Sequence, residues 1–202
     1  WGCLAGAGVW VTQDHPVRAF LQTRRSVTAK TMAPGTVDPA HLDHILTAGI
    51  RVPDPGALKP WRLVVIAGAA RRRLDETVIL PEFQTANPDA KPEVTAIEQG
   101  RMQRADVVIA VLSSPVEHPS INEWEMHLSA GAVCTTLLYA AQSFGYAAQW
   151  LTEWYAYNER MLEALGGTPG QDRIAGFIYI GEKIKPPMER TRPDPKMVIS
   201  RL

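Results

Sequence analysis

From Leu128 to Thr152 the chain runs for 25 residues without an Asp, Glu, Lys or Arg. A run of that length has to be covered by protein or by lipid, and it is long enough to span a bilayer. Its content points away from lipid. Ser129, Thr135, Thr136, Gln142, Ser143, Gln149 and Thr152 are polar, and Gly131 and Gly145 interrupt it, whereas a lipid-facing helix is richer in Leu, Ile and Phe. The run therefore reads as a buried helix of a soluble protein, spanning about Asn122 to Gly145 and closed by a glycine. A strand over 146–152 follows it.

The rest of the chain fits around that helix. Helices are expected over 16–24 and 38–51, the second opened by Asp38-Pro39 as N-cap and first-turn proline. Leu42, Ile45, Leu46 and Gly49 share one of its faces. Pro53, Pro55 and Gly56 break it. Residues 60–67 read as a buried strand, 106–113 and 173–181 as further strands, and 158–165 as a helix. Gly68 opens a further helix, and 81–95 reads as a mobile surface loop or lid. Uneven alternation of helices and strands gives an α+β domain over 15–202. Residues 1–14, apolar but without the basic start of a secretory signal, read as an arm or an expression artefact.

Lys+Arg and Asp+Glu balance at 21 each, so no basic field recruits nucleic acid. Arg71-Arg72-Arg73 is the one basic run, and it reads as the solvated start of a helix. Two cysteines are too few for a disulfide framework, and Cys134 falls in the apolar run, which suits a reducing, cytoplasmic setting. No nucleophile elbow, phosphate-binding P-loop or dinucleotide-binding glycine motif occurs. His41 and His44 lie three apart, yet no further His or Cys completes a metal set, and a solvated helix face is the simpler reading.

The informative cluster is Arg24-Arg25-Ser26 at the end of the first helix. Two guanidinium groups and a hydroxyl offer paired donors to a phosphate. Three later motifs follow in order: Arg51-Val-Pro53-Asp54 at a helix end, Lys59-Pro60-Trp61 before a strand, and Ala140-Ala-Gln-Ser-Phe-Gly145 leading into Trp150-Leu151-Thr152. A closing strand, Phe177–Glu182, and Arg190, Arg192 and Pro193 complete the set. Over about residues 17–199 this order resembles the nitroreductase family, and Asp54 after the proline is similar to its compact branch. Lys59 stands where that family commonly carries Gln or Asn.

The resemblance implies a mainly antiparallel sheet flanked by helices, in a homodimer whose two FMN sites straddle the interface. It implies that Arg24, Arg25 and Ser26 hold the FMN phosphate and ribityl chain, with Arg192 or Arg190 as an additional phosphate partner. Arg51 would lie near the polar edge of the ring, where positive charge stabilises the reduced form. Pro53 and Pro55 would come from the other subunit, while Trp150, Leu151 and Thr152 pass beside the ring. The uncharged helix would form the dimer core. Arg51 could equally cap its own helix, and Trp61 and Trp150 could be packing residues.

The activity implied is ping-pong transfer of hydride from NAD(P)H through FMN to a nitroaromatic, a quinone or a similar small acceptor. No side chain is required as acid or base. The alternatives are a flavin-dependent dehydrogenase, dehalogenase or flavin-fragmenting enzyme, and a non-catalytic flavin-binding dimer. Acceptor choice is expected to lie in residues 81–104 and 152–157.

Overall fold

A computed structural model describes residues 15–33 and 35–202; the expected arm at 1–14 lies outside them. A five-stranded sheet, antiparallel in every pairing, organises the chain. Its strands are β1 (Met32–Ala33), β2 (Trp61–Ala67), β3 (Val107–Ser113), β4 (Ala147–Leu151) and β5 (Arg173–Lys183). The long β5 pairs with β1, β3 and β4, and β3 lies between β5 and β2.

Side-chain alternation splits β3 between two cores. Val108, Ala110 and Leu112 face one core and Val107, Ile109 and Val111 the other, as the period of a strand requires. The second core is covered by α2 (Pro39–Gly49) and α6 (Glu123–Ser143). The first is covered by α3 (Ala69–Leu74), the turn that follows it and α7 (Glu159–Ala164), while α4 (Leu80–Ala86) and α5 (Pro92–Glu98) contribute no residue to it. Two more helices, α1 (Pro16–Thr23) and α8 (Pro195–Val198), lie near the ends.

Side-chain caps open both α2 and α6. Asp38 accepts from the amides of Ala40 and His41. Asn122 and Glu125 build a reciprocal capping box at the start of α6, worth about 1 kcal/mol of helix stability. The uncharged run divides between α6 and β4, joined at Gly145, whose φ of +87° ends the helix. Gly49 lets α2 approach α6, since a Cβ there would sit 2.3 Å from Leu137. Cys134, on the inner face of α6, is a buried free thiol that burial pushes up to about 12.

Three expectations fail in whole or in part. The strand over 60–67 is not buried: it is the sheet edge, with Val65 40% exposed and Ile66 its one buried residue. Its β-branched run looks the same whether the second neighbour is a strand or solvent. Residues 81–95 are a loop only at 87–91 and are otherwise helical. They form α4 and most of α5, because a π turn over Asp75–Ile79 absorbs the proline. There the Leu80 amide reaches five residues back to the Asp75 carbonyl, so Pro81 begins a new helical run where its missing N–H does no harm. The basic run Arg71–Arg73 is also only partly solvated: Arg71 turns inward and donates to the Ala105 carbonyl.

Candidate functional site

The chain leaves α1 at Arg24 and crosses the end of α6. Gln142 of that helix fixes the crossing with both ends of its amide: Oε1 accepts from Arg24 Nε at 3.1 Å, and Nε2 donates to the Arg25 carbonyl at 2.9 Å. Arg24 Nη2 reaches Ser26 Oγ at 3.3 Å, and its guanidinium carbon stands 5.4 Å from the Tyr139 ring centroid. Immediately afterwards the Val27 amide donates to the Ala148 carbonyl of β4, tying the turn to the sheet.

An open cavity of about 460 Å³ lies between this turn, α6 and β4, lined by Arg24, Ser26, Thr135, Tyr139, Trp150 and Thr152. One end carries a cation and a hydroxyl, the other aromatic and aliphatic groups. Trp150 is held rigidly: its Nε1 donates to the Ala175 carbonyl at 3.2 Å, and a Cβ at Gly176 would lie 2.0 Å from that nitrogen. Leu151 points to the opposite face and packs on the first core, so only its backbone passes this cavity.

Arg25 opens into an adjoining cavity of about 330 Å³ with Arg24, Gln142, Tyr146 and Lys183. Its side chain is only 10% exposed, and Glu189 of the C-terminal tail forms an ion pair with it at 2.7 Å. Arg25 also donates to the Met188 carbonyl. The Glu189 carboxyl is held below the usual range by the Arg190 amide and by Arg25. Arg192 meets the same carboxylate at 3.5 Å. A cationic pocket that already seats an anionic group fits a phosphate by its donor set, and the larger cavity beside it suits a planar, partly apolar ligand.

Arg51, Pro53 and Pro55 are not brought to this place. Arg51 is exposed at the end of α2, and its amide donates to the Ala48 carbonyl. The Pro53 carbonyl accepts from Ser129 Oγ at 2.7 Å, and the same hydroxyl accepts from Trp61 Nε1 at 3.1 Å. Ser129 precedes Gln142 by thirteen residues on α6, about 20 Å of helix. Lys59, at φ +51°, donates its amide to the Asp54 carboxylate at 2.9 Å. That pair makes Asp54 a brace for the loop.

Behind Thr152 lies a buried charge network. Arg101 pairs with Glu98 and Glu153, and Arg104 holds Glu153 at 2.9 Å. Burial alone would raise the Glu98 carboxyl, but hydrogen bonds from Arg101 and Trp154 outweigh it and hold the group below its usual value. Of the two histidines weighed for metal, His41 stacks on Phe144 and bonds to Tyr146 Oη at 2.9 Å. Thr135, Tyr139 and Gln142 escaped the sequence reading. Their three-to-four spacing on the uncharged helix was the available signal.

A model of the nitroreductase family matches residues 21–182. An Escherichia coli (strain K12) protein named "Putative NAD(P)H nitroreductase YdjA" is 32% identical over 179 residues, covering 87% of this chain and 93% of that one. Among solved structures, a nitroreductase-like family protein from Bacillus cereus superposes with a TM-score of 0.77 at 22% identity, covering 95% and 98% of the two chains. One from Desulfovibrio desulfuricans, described as "a putative nitroreductase in complex with fmn", does so at 0.70 and 23%, covering 94% and 98%. The fold is nitroreductase-like, and the chain belongs to the nitroreductase family.

Proposed function

We propose that the protein is an FMN-dependent oxidoreductase that draws reducing equivalents from NAD(P)H and works as a homodimer with flavin sites at its interface. The observation that carries this reading is the paired cavity at Arg24–Ser26, with a buried arginine holding an anion beside a rigid aromatic wall. The family match supports it, as do the FMN in the Desulfovibrio structure and the NAD(P)H in the name of the E. coli relative.

When bound, FMN supplies the redox chemistry, accepting hydride from NAD(P)H and passing electrons to a small acceptor such as a quinone or nitroaromatic. The protein's part is to bind and orient. Arg25 would take the phosphate in place of Glu189, with Arg24 and Ser26 beside it and Arg192 close by. Trp150 and the backbone of Leu151 and Thr152 would border the ring.

The dimer is supported by the outer face of α6. Trp124 and Leu128 are 64% and 55% exposed, and Ala132, Thr135 and Tyr139 continue the stripe at helical spacing. A second copy seated there would account for the uncharged helix. It would also bring Arg51, Pro53 and Pro55 of one chain toward the other chain's cavity. No helix of the described residues is long and apolar enough to cross a membrane; a cytoplasmic setting suits the reduced, buried Cys134.

FMN titration tests the reading. The wild type should retain about one FMN per chain, and an Arg24→Met, Arg25→Met double variant should lose at least about tenfold in affinity, as removal of charge-assisted phosphate bonds predicts. Equal affinity in the two proteins would overturn the site.

A further inference from the structure

A separate cavity of about 360 Å³ lies on the other face of the sheet, between β1, the 3-10 turn Ala29–Thr31 and the segment before β3. Lys30, Arg71, Gln103, Arg104 and Asp106 supply its polar lining. Three cations converge there, and two of them, Lys30 and Arg71, form no ion pair with a carboxylate among the described residues. Among the described residues the Lys30 ammonium meets no hydrogen-bond or ion-pair partner, and Arg71 donates to the Gly68 and Ala105 carbonyls. Arg104 pairs with Glu153 and, with Arg101 and Glu98, completes a network of two arginines and two glutamates that is neutral, so the net positive charge of the cavity comes from Lys30 and Arg71.

Two lining residues also carry orphaned atoms. Nη2 of Arg104, whose side chain is 8% exposed, and Oδ2 of Asp106 are buried without a hydrogen-bond partner among the described residues. Native interiors rarely leave such atoms unsatisfied, and a bound water or ion is one of the groups that satisfies them. Here one orphan is a donor on a cation and the other an acceptor on a carboxylate.

We propose that this cavity is an oxyanion site for hydrogen phosphate, distinct from the cavities at Arg24 and Arg25. Lys30 and Arg71 supply the positive charge, Nη2 of Arg104 supplies a further donor, and Asp106 accepts from the P–OH group. Sulfate is matched in size and charge but has no proton at neutral pH. It would set oxygen against the Asp106 carboxylate, which gives the site a means of selection.

Isothermal titration at matched ionic strength, on protein with FMN in excess so that the flavin site is filled, tests this. Potassium phosphate should bind saturably and sulfate at least about tenfold more weakly. Lys30→Met and Arg71→Met, one exposed and one half-buried position, should each weaken phosphate while FMN content stays unchanged. Asp106→Asn should erase the preference over sulfate. Arg25→Met, titrated in parallel, should leave phosphate binding intact. The proposal is overturned if phosphate gives no saturable heat, if Lys30→Met and Arg71→Met bind it as well as the wild type, or if binding disappears only with Arg25→Met.

Discussion

At the scale of single residues, Arg25 is the most informative side chain. A guanidinium this buried needs an anion, and in the isolated chain the tail supplies Glu189. If that carboxylate occupies the place of the phosphate, Glu189→Gln should tighten FMN binding several-fold, read by fluorescence titration; weaker binding would make Glu189 part of the site instead. Asp75 offers a pH test away from the site. Burial raises its carboxyl from 3.8 to about 6, against hydrogen bonds from the Met102 amide and Gln103. Below about pH 4 both folded and unfolded chains hold the proton. Between there and about pH 6 only the fold holds it, so this group's contribution to stability falls as pH rises. Asp75→Asn should remove that loss, and its melting temperature should gain on the wild type between pH 4 and 7. A constant difference across that range would refute the assignment. Arg24, Arg25 and Ser26 were legible in the sequence because two adjacent arginines and a serine at a helix end form an anion-binding pattern by themselves. Gln142 was not, since an amide on an apolar helix announces nothing until its partner across 118 positions is known.

Among the elements, α6 has two jobs on its two faces. The inner face packs on the sheet through Ala130, Val133, Leu137 and Ala141, and the outer stripe would carry the subunit contact. Leu128→Glu with Ala132→Glu should leave the chain folded but monomeric by analytical ultracentrifugation, with FMN lost alongside; a flavin-loaded monomer would separate the site from the interface. Where β5 faces β4, Gly176 makes room for the indole of Trp150. Gly176→Ala should cost on the order of 1–3 kcal/mol by overpacking and weaken FMN binding, both measurable on one preparation. Strands β3 and β5 and helix α6 were legible because burial on both sides leaves unbroken apolar runs. Edge strand β2 and helices α4 and α5 were not. Edge position depends on the neighbours, and Pro81, Pro88 and Pro92 imitate a loop while two of them start helical turns.

For the molecule as a whole, an antiparallel sheet with helices on both faces was expected from the resemblance and is observed. What one sequence could not convey is the distance between Arg24–Ser26 and Arg51–Pro55. They are linked in chain order but stand at different stations along α6, a separation that a second subunit would close. The segments expected to govern acceptor choice, 81–104 and 152–157, are helical for the most part and tied together through Glu98, Arg101 and Glu153. Selectivity there would depend on a braced wall. The central claim is that this is a flavin enzyme reduced by a nicotinamide cofactor, and anaerobic titration of the FMN-loaded protein with NADH and NADPH tests it most directly. The account predicts that one of them bleaches the flavin absorbance at about one equivalent per chain, and that a quinone or nitroaromatic restores it. A chain that retains no FMN, or bound flavin that both nucleotides leave oxidised, would contradict it.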